Sequence, residues 1–97
     1  MSRQRRFHTD HAGHSVTLTV RDGRRTEYEL LVDGKEVGHQ RRRRHSSAAE
    51  LLSGELPGEP TRVFDLLIDH PEGSREDLVC VLEVDGTRLP MAERAAP

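Results

Sequence analysis

Four consecutive arginines, Arg41, Arg42, Arg43 and Arg44, form the densest run of chemistry-bearing side chains in the sequence, with Arg24 and Arg25 upstream. Guanidinium groups fork onto phosphate oxygens in bidentate fashion, and each phosphate neutralised releases condensed counterions. These six arginines are therefore the candidate phosphate- or partner-binding residues, with Arg3, Arg5 and Arg6 able to add to the same surface. Two observations weigh against a dedicated nucleic-acid domain. The sequence pI is about 6.3, below the basic range of such domains. The aromatic residues are only Phe7, Tyr28 and Phe64, too few for a base-stacking platform. Fourteen of the fifteen basic residues are arginine, Lys35 being the exception, a skew that a GC-rich coding sequence produces without selection for arginine chemistry.

A second cluster is His8, His11 and His14, spaced by three, with Asp10 among them. Neutral imidazoles at that spacing can share a Zn²⁺, Ni²⁺ or Cu²⁺ ion. Gly13 disfavours the helix that would align them and no cysteine stands nearby, so they are weak candidates, and neither a metal site nor a cofactor is expected. Cys80 lies within the most apolar run, where a thiol behaves as a small hydrophobe. Asp69, Glu72, Glu76 and Asp77 crowd one turn-like segment but lack the ligand register of a calcium loop. G-x-S-x-G, the Walker lysine motif and H-E-x-x-H are all absent. The residue types predict no catalytic site and no enzyme.

The elements that must carry these residues read as strands. In "SVTLTV", residues 15–20, Val16, Leu18 and Val20 share one face, the signature of a half-buried strand. Asp22-Gly23 supplies turn chemistry, and "TEYELLV" then places Tyr28, Leu30 and Val32 on one face. Asp33-Gly34 turns into "KEVGHQ", residues 35–40. The second half follows the same plan. "RVFDLLI" sets Phe64, Leu66 and Ile68 against Val63 and Leu67. "DLVCVLEV" sets Leu78, Cys80, Leu82 and Val84 against Val79 and Val81, which predicts a central strand covered on both faces. Asp85-Gly86 leads into "TRLPM", where Pro90 marks an edge.

Superposing the two Val-Asp-Gly turns pairs Leu30 with Leu82, Val32 with Val84, and Val37 with Leu89, an internal repeat that keeps the apolar register. Ser46 or Ser47 can cap a short helix over "AAELL", and Gly54 can end it. The expected fold is mainly β: two three-stranded antiparallel meanders packed as a small sandwich or open barrel, with one short helix in the crossover. Residues 1–14 are expected to be a disordered basic and histidine-bearing tail. Residues 15–90 form a single β-rich domain, comprising a first meander at 15–40, a crossover at 41–61 and a second meander at 62–90. Residues 91–97 are a flexible tail.

The chain has 97 residues, 33% of them hydrophobic and 33% charged. That composition leaves a thin core and a slim stability margin. No apolar run reaches the length of a membrane span, and no apolar segment backs the basic start as a secretory signal would. With a lone cysteine, these features point to the cytoplasm. Residues 1–45 carry eleven Lys/Arg against six Asp/Glu, and residues 46–97 carry four against eleven. A basic half and an acidic half can attract one another within a fold or between copies.

The paired units "YELLVDGKEV" and "CVLEVDGTRL", each preceded by a hairpin, resemble the Fas apoptotic inhibitory molecule family over roughly residues 15–90. Tryptophan, abundant in that family, is absent from this chain. The resemblance implies a compact antiparallel β domain that works without catalysis by contacting other proteins, and it transfers no functional residue. The expected function is thus a small non-catalytic interaction domain that binds a protein partner or a second copy of itself. Nucleic acid, bound through an Arg-rich loop, is the alternative partner. Nothing in the sequence names a small-molecule ligand.

Overall fold

The computed structural model describes residues 3–22, 25–43, 50–69 and 78–94. Contacts divide the chain into two compact units, Met1–Ser46 with Ala92–Pro97, and Ser47–Met91. Each unit is built on one antiparallel sheet, and neither sheet closes on itself.

The first unit contains β1 (Arg3–His11), β2 (His14–Asp22), β3 (Arg25–Val32), β4 (Lys35–Arg43) and β9 (Ala92–Arg94), in the spatial order β4-β3-β2-β1-β9. Alternation places Phe7, Val16, Leu18, Val20, Tyr28, Leu30 and Val32 on a single buried face. Cross-strand pairing sets Phe7 beside Leu18 and Leu18 beside Leu30, so the inner face is a lattice of apolar rows. The β1–β2 turn is Ala12-Gly13, with φ of 52° and 81°. The β3–β4 turn is Asp33-Gly34, with φ of 51° and 82°. Two successive positive φ values define the mirror-image turn whose twist matches that of the flanking strands.

The second unit contains β5 (Glu50–Leu56), β6 (Arg62–Asp69), β7 (Val79–Val84) and β8 (Thr87–Pro90), in chain order. Its buried face carries Leu52, Leu56, Phe64, Leu66, Ile68, Cys80, Leu82 and Val84. Asp85-Gly86 joins β7 to β8 with φ of 51° and 74°. Gly54 has a steric reason to be glycine. It stands opposite Phe64, whose ring lies 2.6 Å from where a Cβ would be.

Several expectations are corrected. The meanders have four strands each rather than three. The expected N-terminal tail contains β1, anchored by Phe7, which is buried, and by a full ladder with β2. The expected C-terminal tail contains β9, which pairs with β1. The helix over "AAELL" is not formed: Glu50, Leu51 and Leu52 begin β5, whose ladder with β6 supplies the backbone bonds a helix would have made, and no helix occurs among the described residues. Its capping residues, Ser46 and Ser47, lie outside the described residues, as does the expected turn at Gly23. The Arg-rich crossover is strand through Arg43. Strand β7 is internal, as expected, but only one of its faces is buried. Val37 does not correspond to Leu89. The β3–β4 ladder pairs Leu31 with Glu36 and Leu30 with Gly38, leaving Val37 as a bulge. Pro90 does sit on an edge strand.

Candidate interaction surface

The outward face of the first sheet is charged. Glu27 on β3 lies between Arg21 on β2 and Arg41 on β4 in the ladder, and Glu29 lies between Thr19 and His39. Arg41 Nε approaches Glu27 Oε1 at 3.2 Å, and Arg21 Nη2 approaches Glu29 Oε2 at 3.6 Å. His39 Nε2 is 3.9 Å from Glu27. Arg6 on β1 stands directly opposite Arg94 on β9. Like charges opposed across a ladder repel, and among the described residues neither forms an ion pair.

The candidate arginines are therefore only partly brought together. Arg25 and Arg41 share this face with Glu27, which stands opposite Arg41 and two positions along β3 from Arg25, and Arg43 pairs with Arg25. In the backbone register Arg42 pairs with Thr26, one position out of step with Arg41 and Arg43. Arg24 and Arg44 lie outside the described residues.

The three histidines are separated. His11 and His14 oppose one another beside the β1–β2 turn, whereas His8 lies on the other face. His8 Nε2 donates to Asp10 at 3.0 Å, and Nδ1 lies in hydrogen-bond reach of the Thr17 hydroxyl at 3.1 Å. Both of its nitrogens are thus engaged. His14 Nδ1 donates to Asp33 Oδ2 at 2.7 Å. Among the described residues, no three His, Cys, Asp or Glu side chains are grouped to hold a metal ion.

Asp33 ties two turns together. Its Oδ1 accepts the Ser15 amide at 2.9 Å, and its own amide donates to the Ser15 carbonyl at 2.8 Å. The Ser15 amide, then the His14 ring, hold its carboxyl below the usual carboxylate range. The reciprocal pair fixes the β3–β4 turn to the start of β2.

The edge next to β9 is fixed by Arg5. Its guanidinium donates Nε to Glu93 Oε2 at 2.8 Å and Nη2 to Glu93 Oε1 at 2.6 Å. The same group lies 5.3 Å from the Phe7 ring centroid, within cation–π range.

The outward face of the second sheet differs in kind. Leu51, Leu67, Val81 and Pro90 occupy consecutive ladder positions across β5, β6, β7 and β8. They make one apolar row spanning the whole sheet. Leu51 is 55% exposed, and Val63 and Val79 on the same face are 64% and 45% exposed. A parallel row runs Ser53, Asp65, Glu83 and Arg88. Within it the Ser53 hydroxyl donates to Asp65 at 2.8 Å, and Arg88 Nε approaches Glu83 at 3.4 Å. Glu55 and Asp69 extend the carboxylate rim. Cys80 is on the opposite, buried face. Asp69 ends β6, whereas Glu72, Glu76 and Asp77 lie outside the described residues.

Alternation had placed Val63, Leu67, Val79 and Val81 on this face. It missed Leu51, which reads as helix, and so missed that the row crosses every strand.

Fold and surface together define a small mainly-β protein of two open antiparallel sheets, in which one sheet exposes charge and the other carries an apolar row, exposed at Leu51 and Pro90 and half-buried at Leu67 and Val81. Comparison with known protein families, with curated proteins and with solved structures finds no match. No helix among the described residues is long and apolar enough to cross a membrane.

Proposed function

We propose that this chain is a non-catalytic interaction domain that contacts protein partners through the outward face of its second sheet. The single observation that carries the reading is the row Leu51, Leu67, Val81 and Pro90 with its carboxylate rim. Isolated exposed apolar residues need no explanation, but a contiguous row rimmed by polar groups is the pattern of a contact surface. The rim favours a partner presenting apolar and basic groups together, since opposed potentials steer and orient an encounter. The sequence resemblance to a family of protein-contacting β domains points the same way.

Selection of random peptides against the immobilised chain, followed by amide NMR mapping of those recovered, tests the reading. The expected ligands are apolar and basic, shift amides in β5 to β8, and lose binding when Leu67→Lys or Val81→Lys is introduced. Ligands that map instead to the first sheet, or that ignore both substitutions, overturn it.

Binding of nucleic acid to the charged face of the first sheet is the second reading, and the opposed Arg6 and Arg94 favour it, because a phosphate between them would relieve their repulsion. Titration with DNA and RNA oligonucleotides at two salt concentrations separates the two. Salt-reversed shifts at Arg6, Arg25 and Arg94 support the phosphate reading, and their absence removes it.

A further inference from the structure

We infer that β5 is a dimerisation edge: two copies of the chain pair β5 against β5, antiparallel about a two-fold axis, with Ser53 opposite its own counterpart. The inference rests on the reading above, because β5 is where the apolar row, exposed there at Leu51, reaches the border of its sheet.

An exposed sheet edge is a template for another strand, and proteins block edges they do not use with bulges, charge, proline or brevity. Among the described residues, three of the four edges carry a bulge, a proline or too few residues, whereas β5 carries charge alone, as Glu50 and Glu55. Strand β4 has the Val37 bulge and the cations Lys35 and Arg41. Strand β8 has four residues and ends in Pro90, and β9 has three residues. Strand β5, "ELLSGEL", has seven residues with no Lys, Arg or Pro, and its register with β6 runs unbroken from Glu50 to Leu56. Among the described residues it forms a ladder with β6 alone.

The strand is also complementary to itself. Opposed residues of an antiparallel pair share a face, so only registers that match like faces are allowed. Of these, the register about Ser53 engages all seven residues. It sets Glu50 against Leu56, Leu51 against Glu55 and Leu52 against Gly54. No carboxylate meets a carboxylate, although the strand carries two acids and no cation. Each exposed Leu51 packs on the methylene stem of Glu55 from the second copy, beside that copy's exposed Val63. Such an isologous contact closes after two copies, so it does not propagate into a fibre.

Three measurements on the full chain test this. Sedimentation equilibrium should show the mass rising with concentration from 11.0 kDa towards twice that value. Ser53→Cys should form a disulfide-linked dimer under mild oxidation, because residues opposed across a ladder have Cα atoms about 5 Å apart, within disulfide reach. Val63→Cys, also exposed but one strand inward, should not crosslink. Finally, Ser53→Glu and Ser53→Lys should both weaken the dimer, by roughly fivefold, since either charge would face its own copy.

A partner other than a second copy would respond to those two substitutions with opposite signs. That result overturns the self-pairing while leaving the contact surface in place. A monomer at every concentration with no Ser53→Cys crosslink, or a dimer indifferent to both charges, also overturns it. The proposed function then stands or falls separately, on the peptide selection.

Discussion

The two meanders have the same inner lattice but fill it differently. In both, the strand before the Asp-Gly turn supplies one apolar column, Tyr28-Leu30-Val32 or Cys80-Leu82-Val84, and the preceding strand supplies its partners, Val20-Leu18-Val16 or Ile68-Leu66-Phe64. The middle rows correspond closely: Phe7, Leu18 and Leu30 in one, Leu52, Leu66 and Leu82 in the other. The next row trades volume. Where the first sheet has Thr9 beside Val16, the second has Gly54 beside Phe64. A large side chain on one strand is offset by the loss of one on its neighbour, as close packing requires. The outward faces share no such pattern, one being ion-paired and the other crossed by an apolar row. The lattice is common property of both sheets, and the difference that bears on function lies outside it.

The volume trade can be broken most severely in the second sheet. Gly54→Thr drives a branched side chain into the Phe64 ring, which is buried at 1% exposure, and should cost about 3 kcal/mol. Phe64→Val leaves a cavity and should cost about 2–3 kcal/mol. Made together, the two changes rebuild the arrangement of Thr9 and Val16, and the double variant should be more stable than the sum predicts by at least about 1 kcal/mol. Denaturant unfolding of the four proteins measures this coupling. Strict additivity would mean that the two positions do not exchange volume.

The lattice was legible in the sequence wherever alternation was strong. Val16, Leu18 and Val20, and Phe64, Leu66 and Ile68, announce their strands by period alone, and the Asp-Gly pairs announce two of the turns. The strands that went unread lack that signal. The inner face of β1 offers Arg5, Phe7, Thr9 and His11, only one of them apolar. Strand β9 has an alanine and two charged residues and is held by its ladder and by Glu93. Strand β5 is rich in Leu and Glu, good helix formers whose propensity is overridden by seven ladder positions against β6. The Val37 bulge is invisible because "VDGKEV" and "VDGTRL" have identical spacing, although only the first carries an extra residue in its ladder. The candidate surface was half legible for the same reason: four of its apolar residues followed from alternation, while Leu51 depended on recognising β5.

A smaller effect separates the inner rows at their far end, where the first sheet has Arg5 beside Val20 and the second has Glu50 beside Ile68. Arg5 is 15% exposed and Glu93 is 42% exposed, so solvent screens the bidentate pair from one side. Arg5→Ala should therefore cost only about 1 kcal/mol. Its sharper signature is local. Amide exchange at Ala92, Glu93 and Arg94 should quicken far more than exchange along β2, because Arg5 holds β9 to β1 by side chain as well as by ladder. Unchanged protection of β9 would assign its place to the ladder alone.

The smallest expected difference lies between the two Asp-Gly turns. Asp33 accepts the Ser15 amide and the His14 ring, whereas Asp85 lies 3.3 Å from Arg62, with both of those side chains about half exposed. A carboxyl whose pKa is lowered on folding adds stability that is fully present above its unfolded value of about 3.8 and is lost as pH falls through the lower folded value. Asp33→Asn keeps a residue tolerant of φ near 51° but cannot carry the charge. The variant should melt below the parent protein at neutral pH, and the gap in Tm should close as acid titrates Asp33 in the parent. Asp85→Asn serves as the control for the substitution itself, since Asp85 pairs with Arg62 across an exposed surface and not with a turn amide. A gap for Asp33→Asn that does not change between neutral and acid pH would mean that the Ser15 amide and the His14 ring do not act through the Asp33 charge.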